Sequence, residues 1–413
     1  MKQLIIIGGG AAGLAAALSA RQQSPQLEIT VLERLDRVGK KILATGNGRC
    51  NLTNTRAAPS HYYSSNWPRL KEAMTDMHPR QVLDFFEGLG LLCQEEAEGR
   101  VYPYCKQASM VMDVFLQALE RQKIRVQCSC TVSEIGRNRG KFVVKTADGQ
   151  SLTADAVILA AGGKAAPKLG SDGSGFTLAK QLGHNCTPLY PALVALKCDM
   201  NHHGGLKGIR AEAGLTLLAG ERELGRELGE IQFTEYGLSG IPVMQLSGRL
   251  SRVKKGERCT AVVDLFPEMS VEALFRLLKR RQQQDLRGTL ETLLLGTIHK
   301  RLAYAVLKSC GLQPLSRGTA TLTNAELHRL AETLKAWIFT VTGTQGWEFA
   351  QVTGGGVPLT EIDTDTMMST LQPNLYLAGE VLDVAGDCGG FNLHWAWCSG
   401  IRAGTAAAKG GHI

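Results

Sequence analysis

The chain opens with a pattern of apolar and small residues that is typical of a β-α-β unit. An apolar run over residues 4–7 predicts a buried strand, residues 11–21 predict an alanine-rich helix, and Glu28–Leu32 predict a second strand. Glycines at positions 8, 9, 10 and 13 separate the first strand from the helix. Because glycines interrupt the apolar run, we interpret it as a strand and a turn rather than as a signal peptide.

The next part of the chain alternates between polar and periodic segments. Residues 39–55 are rich in Gly, Asn and Lys, which predicts a loop too polar for the core. Helical patterns follow over residues 79–89 and 108–121. Residues 124–147 alternate like a β-meander, and residues 156–161 predict a buried strand.

The second half of the chain changes character twice. Short β-like segments begin near residue 190, and a helical pattern over about 270–335 opens behind Ser270, a candidate N-cap. After a further β-like stretch, the chain returns to α/β character with a strand over 374–378 and a helix over 393–409. The two ends therefore predict one α/β domain, and the middle of the chain predicts an insertion.

Three glycines and an acid give the first β-α-β unit its candidate chemistry. Gly8, Gly10 and Gly13 fit the Gly-x-Gly-x-x-Gly pattern, which allows a tight turn, close approach of a pyrophosphate and close packing of the helix on the strand. Glu33 ends the second strand twenty residues after Gly13, where a carboxylate binds the ribose of a dinucleotide. The context favours a dinucleotide site over a glycine-rich turn without a ligand.

Later segments favour FAD over NAD as that dinucleotide. The polar residues 45–54 lie close behind the β-α-β unit and suit a cofactor that runs onward across the domain. Residues 160–163 resemble the second motif of two-dinucleotide-binding flavoproteins, and residues 374–380 resemble the third, a strand ending in Gly and an acid. Gly389 and Gly390 then open a helix whose N-terminus would stabilise negative charge on the flavin pyrimidine ring.

With these motifs, the sequence resembles the HI0933-like bacterial flavoproteins, also described as aminoacetone-oxidase-like or bile-acid-inducible-type flavoproteins. The stretches that carry the resemblance are residues 39–54, 229–247, 350–356 and 375–404. The resemblance implies an α/β fold: a Rossmann-type two-dinucleotide-binding FAD domain, split in sequence, with an inserted β-barrel-like domain and a small helical domain. In this chain we expect the FAD-binding domain at 1–190 and 352–413, a β-rich substrate domain at 191–268 and 336–351, and a basic helical domain at 269–335.

The motifs and the resemblance together predict a site for non-covalent FAD. The expected cofactor-binding residues are Gly8, Gly10, Ala12, Gly13, Glu33, Arg34, Lys40, Lys41, Gly46, Arg49, Asn51, Thr53, Val132, Ala161, Gly162, Gly379, Glu380, Asp383, Gly390, Phe391, Asn392 and Leu393. The chain departs from the family pattern at residues 164–167, at Asp387-Cys388 and at His394, and these departures concern the substrate rather than FAD.

Three residues are candidates for catalysis. Cys50 lies beside Arg49, which we expect to lower the thiol pKa, although a packing cysteine is the simpler interpretation. His394, at the start of the last helix, is expected to act as a neutral donor or else as a core histidine. Cys388 is a weaker candidate. No Cys/His cluster has the spacing of a metal site, and eleven cysteines without a pairing pattern favour a reduced, cytoplasmic protein.

Motif content and charge bear on the reductant and on the substrate. The chain has no second Gly-x-Gly-x-x-Gly motif, so NAD(P)H is expected to dock transiently. The formal net charge is +8, and residues 270–317 hold nine basic residues against three acidic ones. This balance makes Lys279, Arg280 and Arg281 candidates for RNA binding, or else part of a solvated helix face.

Three function classes follow. The first, which we favour, is an NAD(P)H-dependent reductase of an activated C=C bond, with a uridine of 23S ribosomal RNA as the leading substrate and a steroid-like bile-acid enone as the alternative. The second is an oxidase of a small amine such as aminoacetone, which uses O2. The third is a flavin-binding redox sensor without enzymatic activity. The full set of FAD-binding motifs disfavours this class. No membrane partner is expected, and the oligomeric state is not predicted.

Overall fold

The computed structural model describes residues 2–201 and 205–410, which form two compact units. The first unit joins the chain up to Pro191 to the chain from Ala350 onward, and the second unit is Ala192–Phe349. Each unit has its own hydrophobic core. None of the helices in these residues is long and apolar enough to cross a membrane. The boundary predicted between a barrel domain and a separate helical domain stays a prediction.

Within the described residues, the α-helices are α1 (Ala11–Gln23), α2 (Lys40–Ala44), α3 (Trp67–Ala73), α4 (Pro79–Gly88), α5 (Ala108–Arg121), α6 (Ser174–Gln181), α7 (Ile241–Ser247), α8 (Val271–Gln284), α9 (Leu290–Leu293), α10 (Lys300–Ser309), α11 (Asn324–Lys335) and α12 (Phe391–Lys409). The β-strands are β1 (Gln3–Ile7), β2 (Glu28–Leu32), β3 (Thr53–Asn54), β4 (Tyr62–Tyr63), β5 (Cys93–Glu95), β6 (Arg100–Pro103), β7 (Arg125–Gln127), β8 (Val132–Asn138), β9 (Lys141–Thr146), β10 (Ser151–Ala154), β11 (Ala156–Leu159), β12 (Tyr190–Ala192), β13 (Leu196–Cys198), β14 (Arg210–Ala219), β15 (Arg222–Phe233), β16 (Gly237–Ser239), β17 (Cys259–Asp264), β18 (Trp337–Thr344), β19 (Val352–Gly354), β20 (Ile362–Asp363), β21 (Met368–Ser369), β22 (Leu375–Leu377) and β23 (Ala385–Gly386).

A seven-stranded sheet in the order β20-β21-β22-β11-β1-β2-β7 organises the first unit. β1 pairs in parallel with β2 and β11, and β11 pairs in parallel with β22. The apolar run of β1 is buried on both faces, as expected for a central parallel strand. The carboxyl ends of β1, β2, β11 and β22 therefore meet at one edge of the sheet, which confirms the predicted Rossmann-type fold.

Helices α1 and α12 cross at very short range on this sheet. A Cβ atom at Gly400 would collide with the carbonyl oxygen of Ala12, and one at Gly404 would collide with that of Ala16. Alanines 15, 16 and 17 of α1 are fully buried. Small residues on both helices thus let the two backbones approach, and this contact ties the C-terminal helix to the helix that follows the first glycine turn.

The second unit contains a closed barrel of six strands in the order β13-β16-β15-β14-β17-β18. Alternate side chains of its strands, such as Leu215 and Leu217 of β14, are fully buried. The helices α8 to α11 belong to the same unit. Ser270 caps α8 as predicted, because its side chain accepts a hydrogen bond from the Ala273 N–H at 3.1 Å.

The structure corrects the prediction that residues 39–55 are too polar for the core. Cys50, Leu52 and Thr53 are fully buried, and Asn54 is nearly so. The Leu52 N–H donates to the Val101 carbonyl at 2.8 Å, and β3 pairs with β6. Polar groups in this segment can be buried because residues far away in the sequence form hydrogen bonds with them. The polarity of the segment itself does not reveal those partners.

Candidate functional site

The glycine turn after β1 has the conformation that a dinucleotide site requires. Gly8 has a φ of +107°, and a Cβ there would collide with the Ala160 carbonyl oxygen. A Cβ at Gly13 would collide with the Gly8 carbonyl oxygen, so only glycine lets α1 start so close to the strand. Gly10 is the N-cap of α1, no side chain caps it, and a Cβ there would have no heavy atom within 4 Å. The first N–H groups of α1 thus border open space, as a phosphate site needs.

Glu33 supports this turn from the end of β2. Its Oε2 accepts the Gly9 N–H at 2.8 Å, and its Oε1 accepts the Leu35 N–H at 2.8 Å. The residue is only 9% exposed. A carboxylate accepts about four hydrogen bonds, so positions remain for the hydroxyl groups of a ribose. Glu33 has a structural task in addition to the one predicted from its spacing.

An ion pair joins the loop after β2 to the third predicted motif. Lys41 Nζ lies 2.7 Å from Glu380 Oε2 and 3.2 Å from the Ala165 carbonyl oxygen. The other oxygen of Glu380 accepts the Thr353 N–H at 2.8 Å. The loop after β2 and the turns after β11 and β22 therefore share one polar network at the carboxyl edge of the sheet.

The N-terminus of α12 holds a second group of polar atoms in the same unit. Gly390 has a φ of +102° and caps the helix without a side-chain hydrogen bond. Asn51 Oδ1 is buried and lacks a hydrogen-bond partner among the described residues. A Cβ on Gly390 would lie 2.7 Å from this oxygen. A buried acceptor without a partner beside free helix N–H groups fits a bound polar ligand, so the open space at Gly10 and the acceptor of Asn51 together fit FAD.

Three predicted cations are already paired within the protein. Arg34 donates to the Gly170 carbonyl at 3.2 Å and pairs with Asp172 at 3.5 Å. Arg49 pairs with Glu96 at 3.2 Å, and its guanidinium lies 4.2 Å from the centre of the Tyr102 ring. Lys40 pairs with Asp36, four residues earlier. These side chains hold the loops around the site.

The other predicted cofactor residues lie at the same turns or brace them. Asp383 Oδ2 accepts the Ser65 N–H at 2.9 Å, and Asn392 bonds both the N–H and the carbonyl of Gly386. Val132 is buried in β8, close behind Cys130, whose N–H donates to the Glu33 carbonyl at 2.9 Å. The rest occupy the turns and first helical residues already described, or the segment that leads to them: Ala12, Gly46, Thr53, Ala161, Gly162, Gly379, Phe391 and Leu393.

Cys50 differs from the expectation of a lowered pKa. The residue is fully buried and has a φ of +60°. Burial raises the pKa of its thiol to about 12, and a hydrogen bond with Thr45 only partly opposes that effect. Arg49 does not lower the pKa, because its guanidinium turns to Glu96 and Tyr102. This environment favours the packing interpretation of Cys50 over a reactive thiolate.

His394 is buried, and each of its two ring nitrogens has a hydrogen-bond partner. Its Nδ1 lies 2.8 Å from Thr53 Oγ1, and its Nε2 lies 3.1 Å from the Met77 carbonyl oxygen. Burial lowers the pKa of His394 to about 4, so the ring is neutral at pH 7, as expected. Both ring nitrogens have partners inside the core, which favours the interpretation as a core histidine. Cys388 is half-buried, and burial raises the pKa of its thiol.

Sequence reasoning missed His61 and Tyr63. His61 Nδ1 lies 2.9 Å from Asp387 Oδ2, and the Tyr63 hydroxyl donates to Asp387 Oδ1 at 2.8 Å. Strand β4 pairs with β23 and thereby brings these residues to the start of α12. The one sequence signal was the departure from the family pattern at Asp387-Cys388.

The three basic residues of α8 differ in their surroundings. Arg281 donates to the carbonyl oxygens of Leu293 and Leu295, both at 2.9 Å. Lys279 donates to Gln282 at 3.0 Å, and Arg280 is exposed. Arg281 therefore holds the end of α9 and the chain that follows it. No group of three or more His, Cys, Asp or Glu residues within 2–201 and 205–410 could hold a metal ion.

Comparison with known proteins supports the resemblance noted from the sequence. The family model described as the HI0933-like protein Rossmann domain matches residues 2–406. The 3-dehydro-bile acid delta(4,6)-reductase of Clostridium scindens is 37% identical over 410 residues, covering 99% of this chain and 100% of that protein. The ribosomal RNA dihydrouridine synthase of Haemophilus influenzae is 29% identical over 412 residues, covering 98% of each.

A solved structure shares the fold. The open conformation of a flavocytochrome c3 fumarate reductase aligns with a TM-score of 0.50 and 16% identity, over 99% of this chain and 78% of that one. At this identity the similarity concerns the fold alone. The family match extends over nearly the whole chain, and the glycine turn, Glu33 and the two helix N-termini fit its cofactor. The chain belongs to the HI0933-like family of FAD-dependent oxidoreductases.

Proposed function

We propose that the protein is an FAD-dependent reductase that adds hydrogen across a C=C bond conjugated to a carbonyl group. The observation that carries the proposal is the meeting of the glycine turn, the Lys41–Glu380 pair and the α12 N-terminus in one unit of a protein whose relatives bear reductase and dihydrouridine synthase names. Both names describe saturation of a C=C bond, and in uracil that bond is conjugated to a carbonyl.

Each element of the site has a separate task in this proposal. The N-terminus of α1 would bind the pyrophosphate, and Glu33 would accept hydrogen bonds from the ribose hydroxyls. Bound FAD supplies the chemistry of accepting two electrons and passing them on as a hydride. The N-terminus of α12 would stabilise negative charge on the pyrimidine side of the reduced ring. Lys41 and Glu380 would fix the loops on either side of it.

We infer that the electrons come from NAD(P)H bound only transiently. Gly170 and Gly173 precede α6 and Gly175 lies in its first turn, so this segment is another glycine-rich turn at the start of a helix. Asp172 Oδ1 accepts the Ser174 N–H at 3.0 Å at the start of this helix, and Asp172 also pairs with Arg34. An acid already bound at the α6 N-terminus disfavours a phosphate there.

For the substrate we favour a small steroid-like enone over RNA. The relative with 37% identity bears a bile-acid reductase name. Several basic side chains within residues 270–317 also have partners inside the protein. Arg317 pairs with Glu326 at 2.7 Å, Lys300 pairs with Glu291 at 2.9 Å, and Arg281 donates to carbonyl oxygens. Only part of the excess of basic over acidic residues in this segment is therefore available to bind phosphates.

A uridine of ribosomal RNA is the second candidate. Arg276 and Arg280 lie one turn apart on α8, are exposed, and form no ion pair or hydrogen bond within the described residues. Two free arginines on one helix face suit contacts with a nucleic-acid backbone. Gel-shift titration with ribosomal RNA fragments at increasing salt tests this candidate.

An anaerobic experiment separates the reductase from the amine oxidase. The oxidised protein is mixed separately with NADH, NADPH and aminoacetone, and the flavin absorbance is followed. Bleaching by a nicotinamide but not by aminoacetone supports the reductase. Bleaching by aminoacetone alone contradicts it and favours the oxidase.

A further inference from the structure

A histidine–carboxylate pair lies beside the N-terminus of α12, next to the glycines of the proposed flavin site. Asp387 accepts hydrogen bonds at both carboxylate oxygens, from the His61 ring at 2.9 Å and from the Tyr63 hydroxyl at 2.8 Å. Its own N–H donates to the His61 carbonyl oxygen at 2.9 Å. Two elements that lie 326 positions apart in sequence are thus joined by side chain and backbone together.

The His61 ring is also held on its face. It stacks on Phe391 with ring centres 4.4 Å apart and an interplanar angle of 17°. Phe391 is the first residue of α12 and follows the N-cap Gly390. The His61 side chain is 35% exposed, whereas that of Asp387 is 12% exposed. The carboxylate is therefore shielded, while part of the imidazole remains accessible.

This arrangement determines which ring nitrogen exchanges a proton. A carboxylate only accepts hydrogen bonds, so Nδ1 carries a hydrogen and donates it to Asp387. Nε2 has no hydrogen-bond partner among the described residues and is therefore the ring nitrogen that a substrate could contact. A ring with one nitrogen fixed by a carboxylate and the other accessible is the arrangement of a general acid or base.

We propose that His61 Nε2 is the proton donor of the reduction and that Asp387 is its positioning residue. The inference rests on the proposed function. Reduced FAD, when bound, would be the source of the hydride. The β carbon of the substrate's C=C bond accepts that hydride with both electrons, and the π electrons move toward the carbonyl as an enolate. The α carbon then takes the proton of the His61 imidazolium, whose N–H bond breaks, and water returns a proton to the neutral ring.

The test compares His61→Gln and Asp387→Asn with a matched control. His328 also stacks on a phenylalanine, with ring centres 3.8 Å apart at 17° from Phe275, and it belongs to the other unit. His328→Gln therefore removes a stacked histidine without touching the pair. For each purified full-length variant we would measure the dissociation constant of FAD, flavin reduction by dithionite, and anaerobic reoxidation by a Δ4-3-oxo bile acid.

We expect His61→Gln to slow reoxidation by about a hundred- to ten-thousand-fold and Asp387→Asn by at least about tenfold. Both should leave FAD affinity and dithionite reduction unchanged, and His328→Gln should match the wild type. Peptide mapping of the cofactor-free protein after diethyl pyrocarbonate gives an independent readout. His61 should be modified, whereas the buried His394 and His184 should not.

The outcomes separate this inference from the function on which it rests. If wild-type protein is reoxidised and His61→Gln matches it, the inference is overturned and the reductase function stands. Loss of FAD from both variants, or an unreactive His61, also overturns it, because the pair is then structural. If the wild type itself is not reoxidised by the enone, the proposed function fails and takes the inference with it.

Discussion

Lys41 Nζ lies 2.7 Å from Glu380 Oε2, and this ion pair joins the loop after β2 to the turn after β22. The two side chains are 25% and 21% exposed, so solvent screens the pair only partly. The pair thus reports whether the cofactor loops are correctly assembled.

We expect Lys41→Met to weaken FAD binding about fivefold, equivalent to about 1 kcal/mol, because the loop after β2 loses its anchor. Fluorescence titration of the cofactor-free protein measures this change. Lys207→Met is the control, because Lys207 pairs with Glu235 at the same 2.7 Å but on an exposed surface. Equal FAD affinity in wild type and Lys41→Met would contradict the assignment.

Two glycines of the first turn should respond differently to alanine. Gly10→Ala adds a methyl group to open space, so the unfolding free energy of the cofactor-free protein should stay within about 0.5 kcal/mol of wild type. FAD affinity should fall, because that methyl group blocks the approach of the pyrophosphate. Gly13→Ala should instead destabilise the fold by about 1–3 kcal/mol through its collision with the Gly8 carbonyl. Denaturation and FAD titration of both variants check this, and full FAD affinity in Gly10→Ala would argue against the site.

His394 should make stability depend on pH. Burial holds its folded-state pKa at about 4, below the ordinary value for histidine. Between about pH 6.5 and pH 4 the unfolded state therefore binds more protons than the folded state. The free energy of unfolding falls as the pH drops through that window, by about 3 kcal/mol in total. Urea unfolding across this range should show the loss in wild type, and His394→Gln should lack that component. An identical pH dependence in both would refute the buried, neutral assignment.

Substitutions of Arg281 and Arg280 should have different effects, the first on stability and the second on any binding of RNA. Arg281→Ala leaves the carbonyls of Leu293 and Leu295 without their donor and should cost about 1–3 kcal/mol of unfolding free energy. Arg280→Ala should leave stability within about 0.5 kcal/mol, because its side chain is exposed. If RNA is a substrate, Arg280→Ala should also reduce the salt dependence of binding by about one phosphate contact. Equal stability of the two variants would contradict the contacts described.

Cys50 should be chemically inert in the folded protein. With its pKa raised to about 12 and its side chain fully buried, almost no thiolate forms at neutral pH. Brief treatment with iodoacetamide, followed by peptide mapping, should label the exposed Cys105 and spare Cys50. Rapid labelling of Cys50 under native conditions would restore the interpretation of a reactive thiolate.

The first β-α-β unit could be predicted from the sequence because its determinants are local. The apolar run of β1, the glycines at 8, 10 and 13, and Glu33 all lie within one short segment. Their spacing alone places a helix N-terminus and a carboxylate on the same side of two parallel strands. The Ser270 cap was predictable for the same reason, because an N-cap is read from a few neighbouring residues.

The features that could not be predicted from the sequence depend on residues that are far apart in the chain. The buried loop around Thr53 is stabilised by His394, 341 positions away, and His61 gains its carboxylate from Asp387, 326 positions away. Arg281 resembles any solvated arginine in sequence, and only the fold reveals the carbonyls that it binds. Sequence periodicity does not report contacts of this kind, because they depend on the tertiary arrangement.

The most direct measurement is an anaerobic titration of dithionite-reduced protein with a Δ4-3-oxo bile acid. Flavin absorbance and the mass of the steroid are followed together. The proposed function predicts that each equivalent of steroid reoxidises one equivalent of flavin and gains one molecule of hydrogen at the conjugated double bond. Flavin that stays reduced in excess steroid, while air reoxidises it and aminoacetone bleaches the oxidised protein, would contradict the reductase assignment.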